Sequence, residues 1–366
     1  RAQVLAHRWH RHQLDGAPGG GVDLLDFGVQ DTGPDGAAWA LHVRGGPAPA
    51  DADHVLAWTL RGAPHLYRRA DIAAVAVATA PLSEADAASR IYDAHKPLRA
   101  AGIAALDALR TVAAAARRVV TAGMPKGTVS AAVAAALPDP YLRHCRPCQA
   151  THVWEQVFRL PMLQAGLALT PGTSPPVLRR IPGLRPCPYA RAGDAAAPRW
   201  HVVRNYLRFY GPATAREVAA YLDAPVREVQ RCWPRDAVPV AVRDDPRTGL
   251  SALAADVEAL ADPPRPAARL RMLGPYDPYL QGRDRALIVP DPDRRTAMWP
   301  VLGRPGVVVV DGEVAGIWRP RRVGRRLAVT ARWWRPADAP LRKALDAEAQ
   351  RLAAFRCVPL RGVDAD

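Results

Sequence analysis

Gln30, Asp31 and Thr32 stand together between Gly28 and Gly33, placing a carboxamide, a carboxylate and a hydroxyl within three positions. A carboxamide carbonyl orients a water without holding a proton of its own. A carboxylate stabilises developing positive charge, whereas a hydroxyl holds a water but supplies no charge. The flanking glycines remove side-chain bulk and let the backbone approach a ligand closely. Taken alone, the same segment reads better as a polar loop between two helices, with Asp31 or Asp35 as a helix cap. A second group is His144-Cys145-Arg146-Pro147-Cys148 with His152, a C-x-x-C-x-x-x-H spacing. Zinc wants four such ligands, and Cys187 is the one distant candidate for the fourth. A thioredoxin-like redox site would need a βαβ frame that the flanking pattern lacks. No metal is assigned here, and a buried thiol cluster is the expectation.

The elements that must position these groups are mostly helical up to residue 262. Residues 200–210 carry apolar positions at Val203, Tyr206, Leu207 and Tyr210, a helical spacing. Gly211-Pro212 breaks it, and Thr214 with Glu217 three residues on makes a capping box for a second helix. Pro225 opens a third helix; Val238 to Val242 and Leu250 to Leu253 then read as two short strands around a Pro-Gly-containing turn. Three helices followed by a two-stranded wing describe a winged helix. A looser copy spans 101–180, with helices over 103–120, 128–137 and 155–165, the last interrupted by Pro161. A third copy is placed in the amino-terminal part. After residue 269 the period changes to two. Asp311-Gly312 joins a strong hairpin, residues 326–334 form a third strand, and 339–355 a closing amphipathic helix. The expected class is α+β: tandem winged-helix (helix-turn-helix) units with a carboxy-terminal antiparallel β unit. The expected bounds are 1–100, 101–190, 196–264 and 267–366.

The 366 residues carry 50 Lys+Arg against 35 Asp+Glu, a net charge of +15, and only Lys96, Lys126 and Lys343 are lysines. Codon bias explains the arginine-to-lysine ratio but not the net charge. A field of that sign favours a polyanion, nucleic acid first. No apolar run is long enough to span a bilayer, the first residues lack the apolar core of a secretory signal, and five cysteines do not make a disulfide framework. A reducing, cytoplasmic setting is expected. Eight arginines between Arg304 and Arg335 fit a phosphate-tracking surface better than edge protection alone.

In order along the chain stand Gln13-Leu14-Asp15-Gly16, Gly28-Val29-Gln30-Asp31-Thr32, and Thr59-Leu60-Arg61-Gly62-Ala63-Pro64-His65. Tyr206 to Thr214, Met272 to Leu280, Arg283-Asp284-Arg285, Val310-Asp311-Gly312 and Gly316-Ile317-Trp318 follow. This ordered set resembles the bacterial winged-helix DNA glycosylases of the AlkZ/YcaQ type, which remove bulky alkylated bases or unhook interstrand crosslinks. The family's catalytic signature is Gln-x-Gln or Gln-x-Asp. Gln30 matches its first position and Thr32 departs from its second. The resemblance implies catalysis by Gln30, Asp31 and Thr32, with DNA contacts at Arg44, Arg61, His65, Tyr279, Arg283 and Arg285. A lone histidine such as His65 is more often structural than catalytic. The resemblance implies no cofactor, a monomer, and double-stranded DNA carrying alkylated purines as the partner.

The implied reaction is hydrolysis of an N-glycosidic bond through a cation-like sugar, the glycoside pattern. Alkylation at N7 makes guanine cationic and a good leaving group. The expected enzyme is a monofunctional DNA glycosylase; the alternative is a non-catalytic winged-helix DNA-binding protein. Binding to duplex should fall steeply with salt, with log K against log salt dropping by about 0.9 for each phosphate neutralised. An affinity unchanged between roughly 50 and 200 mM salt would contradict the polyanion reading.

Overall fold

The computed structural model describes residues 1–16, 21–147, 149–186, 196–266 and 270–365. Helices and sheets segregate into an α+β arrangement. A six-stranded antiparallel sheet runs in the order Val29–Gln30, Pro64–Arg68, His54–Trp58, Leu167–Leu169, Val177–Arg180 and Met124–Pro125. The His54–Trp58 strand is buried at every position, as its unbroken apolar run requires of a central strand. Leu56 pairs with Leu169, so segments 1–100 and 101–190 contribute to one sheet. The expected first two units therefore do not pack as separate bodies. Their joint core also takes in Tyr206, Leu207 and Leu222 of the third segment.

Within 101–180 the helices are Ala105–Val119, Lys126–Ala135 and Glu155–Arg159. The last stops before Pro161, which cannot continue the hydrogen-bond ladder. Between the second and third lies an antiparallel pair not anticipated from sequence, Leu142–Cys145 with Ala150–Val153. The helices Val202–Tyr210, Ala215–Leu222 and Val226–Arg231 precede a ladder of Ala237–Pro239 with Ser251–Leu253. The Thr214 hydroxyl accepts from the Glu217 amide at 3.2 Å while Glu217 accepts from the Thr214 amide at 2.8 Å. Two orphan donors of the helix are thereby satisfied.

The carboxy-terminal sheet runs Leu270–Leu273, Gly306–Val310, Glu313–Val323, Arg326–Trp333 and Leu360–Ala365. Asp311 and Gly312 have φ of 51° and 83°, the left-handed pair that a two-residue hairpin turn demands. The expectation of a purely antiparallel unit needs one correction: Leu360–Ala365 joins Arg326–Trp333 in parallel. The helix Ala339–Phe355 lies between those two strands in sequence, and such a crossover returns the chain in the same direction. This sheet shares its core with Trp9, Leu14, Trp39 and Val43. The helix Gly36–Val43 consequently faces two cores, with Ala37, Ala40 and Leu41 in one and Trp39 and Val43 in the other.

His7, His12 and His65 are among the buried histidines of this frame. Burial, with Arg11 nearby, lowers the His7 pKa to about 4, and burial, with Arg61 nearby, lowers that of His65 to about 3. Burial and Arg44 hold His12 well below the ordinary value. An unfolded chain binds these protons near pH 6.5. The stability linked to these groups is complete above that pH and is lost as pH falls toward the folded values. Thermal unfolding at pH 7 and pH 5 should show a lower midpoint at pH 5, each such histidine removing about 2 kcal/mol. A flat profile over that range would contradict the assignment.

Candidate active site

Gln30 lies on the edge strand Val29–Gln30, paired across to His65, and is nearly buried. Residues 59–63 close the hairpin between the two neighbouring strands, and there Arg61 adopts φ 59°, ψ 19°. That left-handed backbone costs a non-glycine residue about 1–2 kcal/mol. Contacts on both ends of the residue hold it. Its carbonyl accepts from Gln156 Nε2 at 3.3 Å, and its guanidinium donates to the Tyr221 carbonyl at 3.2 Å and to Gln30 Oε1 at 3.2 Å. The guanidinium also lies 4.2 Å from the Tyr221 ring centre. Because a guanidinium has only donors, the carboxamide must turn its oxygen toward Arg61. Its nitrogen then donates to Thr32 Oγ1 at 3.0 Å. The carbonyl keeps one lone pair and the Thr32 hydroxyl keeps its proton, enough to orient a water between an acceptor and a donor.

Asp31 points elsewhere. Its amide donates to the Pro64 carbonyl at 2.9 Å, and its carboxylate accepts from the Ala37 amide at 2.9 Å, capping the helix Gly36–Val43. A Cβ on Gly36 would lie 2.0 Å from that carboxylate, so glycine is needed there. Asp35, the other candidate cap, pairs with Arg356. The structure thus joins Gln30 with Thr32 and separates Asp31 from both.

The family model of the AlkZ-like DNA glycosylases matches residues 26–355. The chain belongs to the AlkZ-like DNA glycosylase family. A search of curated proteins finds no match. Among solved structures, the Streptomyces sahachiroi DNA glycosylase AlkZ is similar, with a TM-score of 0.72 at 21% identity over 100% of this chain and 99% of that one. For an AlkZ-like glycosylase the substrate is DNA, and among the described residues no helix is long and apolar enough to cross a membrane.

The residues expected to contact DNA in this AlkZ-like chain divide into two groups. Arg44, His65 and Tyr279 are corrected to interior positions. Arg44 grips Asp277 through two hydrogen bonds of 2.7 and 2.9 Å and donates to the carbonyls of His12 and Ala40, both at 2.7 Å. Tyr279 donates to the Gly312 carbonyl at 2.6 Å, and burial raises its pKa. His65 Nδ1 lies 3.0 Å from the Ala63 carbonyl, which can only accept, so that nitrogen carries the proton of a neutral ring. Arg61, Arg283 and Arg285 are partly accessible. Arg283 donates to the Ala220 carbonyl at 3.0 Å, and Arg285 stacks 4.8 Å from the Trp299 ring centre.

Tyr221, Gln156 and Tyr92 were not singled out from sequence. Tyr221 stands in the last turn of the helix Ala215–Leu222, whose last carbonyls attract cations; that helix end was the available signal. Tyr92 is half-exposed, with φ 49°, and donates to the Asp223 carboxylate beside the same helix end. Nothing local marks Gln156. His144 and His152 lie on the unanticipated antiparallel pair, opposite Thr151 and Arg143. Cys148 and Cys187 fall outside the described residues, within which no cluster of three metal-ligating side chains occurs. Arg44→Met should destabilise the fold by about 3–5 kcal/mol through the stranded Asp277 charge. The measurement is denaturant unfolding, and a loss under about 1 kcal/mol would contradict the interior assignment.

Proposed function

We propose that this AlkZ-like glycosylase is monofunctional and hydrolyses the N-glycosidic bond of bulky, cationic N7-alkylguanine-type adducts or crosslinks in duplex DNA. The observation that supports the reading most is the Gln30 carboxamide, held between Arg61 and Thr32 where the family signature stands. A water placed by the carbonyl adds to C1′ of the sugar as the bond to the purine breaks, its electron pair passes to the purine, and the water's surplus proton is released to solvent. The N7-alkylated base then leaves as a neutral molecule. Thr32 supplies no charge, and Asp31 is engaged as a helix cap. A site built this way suits a substrate that brings its own positive charge. Gln30, Asp31 and Thr32 then act as water-orienting acceptor, helix-capping support and water-holding donor.

The proposed frame is a tandem winged-helix array, supported by the three helices and ladder of 202–253 and the three helices of 105–159. In this reading the protein acts as a monomer on cytoplasmic DNA, in repair or in self-resistance to a genotoxic natural product. Arg61, Arg283 and Arg285 stand nearest the reacting strand, with the exposed Arg319–Arg326 hairpin tracking phosphates. A non-catalytic DNA-binding role is the second reading, favoured by Thr32 in place of the family's Gln or Asp.

Single-turnover excision from an N7-alkylguanine duplex, with binding measured in parallel, separates the two. Gln30→Ala should leave binding nearly intact and slow base release by about one to three orders of magnitude. Arg61→Lys keeps the charge but loses the forked geometry, and should slow release by about ten- to a hundredfold. Thr32→Asp should raise activity. Equal excision by wild type and Gln30→Ala would remove that residue from the mechanism. Binding without excision by the wild type would select the DNA-binding role.

A further inference from the structure

Thr32 has a second neighbourhood. Besides accepting from Gln30, it lines a cavity between the start of the helix Gly36–Val43 and the carboxy-terminal sheet. The walls are aromatic: Trp39, Trp318 and Tyr276 all contribute. The two indoles are fixed, Trp39 donating to the Met272 carbonyl at 3.0 Å and Trp318 to the Leu273 carbonyl at 2.9 Å. Arg304 lies with its guanidinium 4.9 Å from the Tyr276 ring centre, and its buried Nε has no hydrogen-bond partner among the described residues. A buried donor left without a partner costs about 1–3 kcal/mol, which a ligand acceptor would recover. Gly274 leaves the wall open, since a Cβ there would meet only Trp39, at 3.8 Å.

We infer that this cavity receives the aryl arm of the adduct, a planar aromatic ring with an acceptor oxygen for Arg304, while the alkylated purine stands at Gln30. The inference rests on the glycosylase reading and adds the substrate class to it. Fixed aromatic walls select a flat ring by stacking. The arginine stacked on Tyr276 extends that platform and disfavours a cationic arm. Thr32, common to the water-orienting pair and the cavity, sets the junction between base and arm.

Two measurements test it. The first compares excision of N7-methylguanine and N7-(4-methoxybenzyl)guanine from duplex by the wild type, Gly274→Ala and Tyr276→Ala. Both variants should lose about tenfold in single-turnover kcat/KM on the benzyl adduct. On the methyl adduct they should stay within about twofold. Gly274→Ala adds one methyl in an uncrowded position, so it keeps the fold if Tyr276→Ala does not. An equal loss on both adducts, or no loss on either, overturns the inference. The second measurement is binding of the free base N7-(3-fluoro-4-methoxybenzyl)guanine, whose arm keeps the acceptor oxygen, by fluorine NMR. Its line should broaden with the wild type and sharpen again with Gly274→Ala; no broadening with the wild type overturns the inference whatever the excision result. Excision of neither adduct by the wild type would defeat the glycosylase reading, and the NMR arm would still decide the cavity.

Discussion

The Arg61 guanidinium is the contact on which the site depends. It reaches the Gln30 carboxamide, the Tyr221 carbonyl and the Tyr221 ring together. A cation at a helix carboxy-terminus gains about 0.3–1 kcal/mol, and stacking on an aromatic ring adds about 0.5–2 kcal/mol. Hydrogen bonds from a charged donor bring about 1.5–3 kcal/mol each. Together these exceed the cost of the left-handed backbone that places the side chain there. The hairpin of the amino-terminal sheet is therefore clamped to the helix Ala215–Leu222, and the orientation of Gln30 follows from that clamp.

A second constraint acts from the other side. The helix Gly36–Val43 is packed between two cores, and at its end Arg44 binds Asp277 with both side chains fully enclosed. Burying such a pair is costly unless every polar group finds a partner. Here the guanidinium also satisfies two main-chain carbonyls, and the Asp277 carboxylate additionally accepts from the Tyr279 amide. The start of that helix, where Asp31 caps and Thr32 turns toward Gln30, is held to the carboxy-terminal sheet. Gln30 and Thr32 flank Asp31 in the chain, between elements anchored on opposite sides, and a hydrogen bond of 3.0 Å also joins their side chains.

The chemical consequence is a site rich in position and poor in charge. Asp31, the carboxylate nearest in sequence, is consumed by the helix start, and Asp35 by Arg356. His65 stays neutral beneath Gln30 because burial and Arg61 both oppose its protonation. What remains near Gln30 is an oriented acceptor, an oriented donor and a partly accessible arginine. Such a set can orient a water between an acceptor and a donor.

Local signals determine much of this protein. The apolar spacing of Val203, Tyr206, Leu207 and Tyr210, the Thr214–Glu217 box and the Asp311-Gly312 turn each act within a few residues. Their elements are accordingly legible in the sequence. Gln30 stands out as a candidate in the sequence too, through its glycine flanks and its place in an ordered set of motifs. The pairing of Leu56 with Leu169, the parallel return of Leu360–Ala365 and the partnership of Arg44 with Asp277 depend on contacts between distant segments. No local pattern encodes them. The arginines show this most directly: Arg44, Arg61 and Arg319 are one residue type in one basic chain. Tertiary packing alone made the first an interior brace, the second a clamp on the glutamine and the third an exposed cation. Charge is a property of the side chain, whereas access to solvent or DNA is a property of everything packed around it.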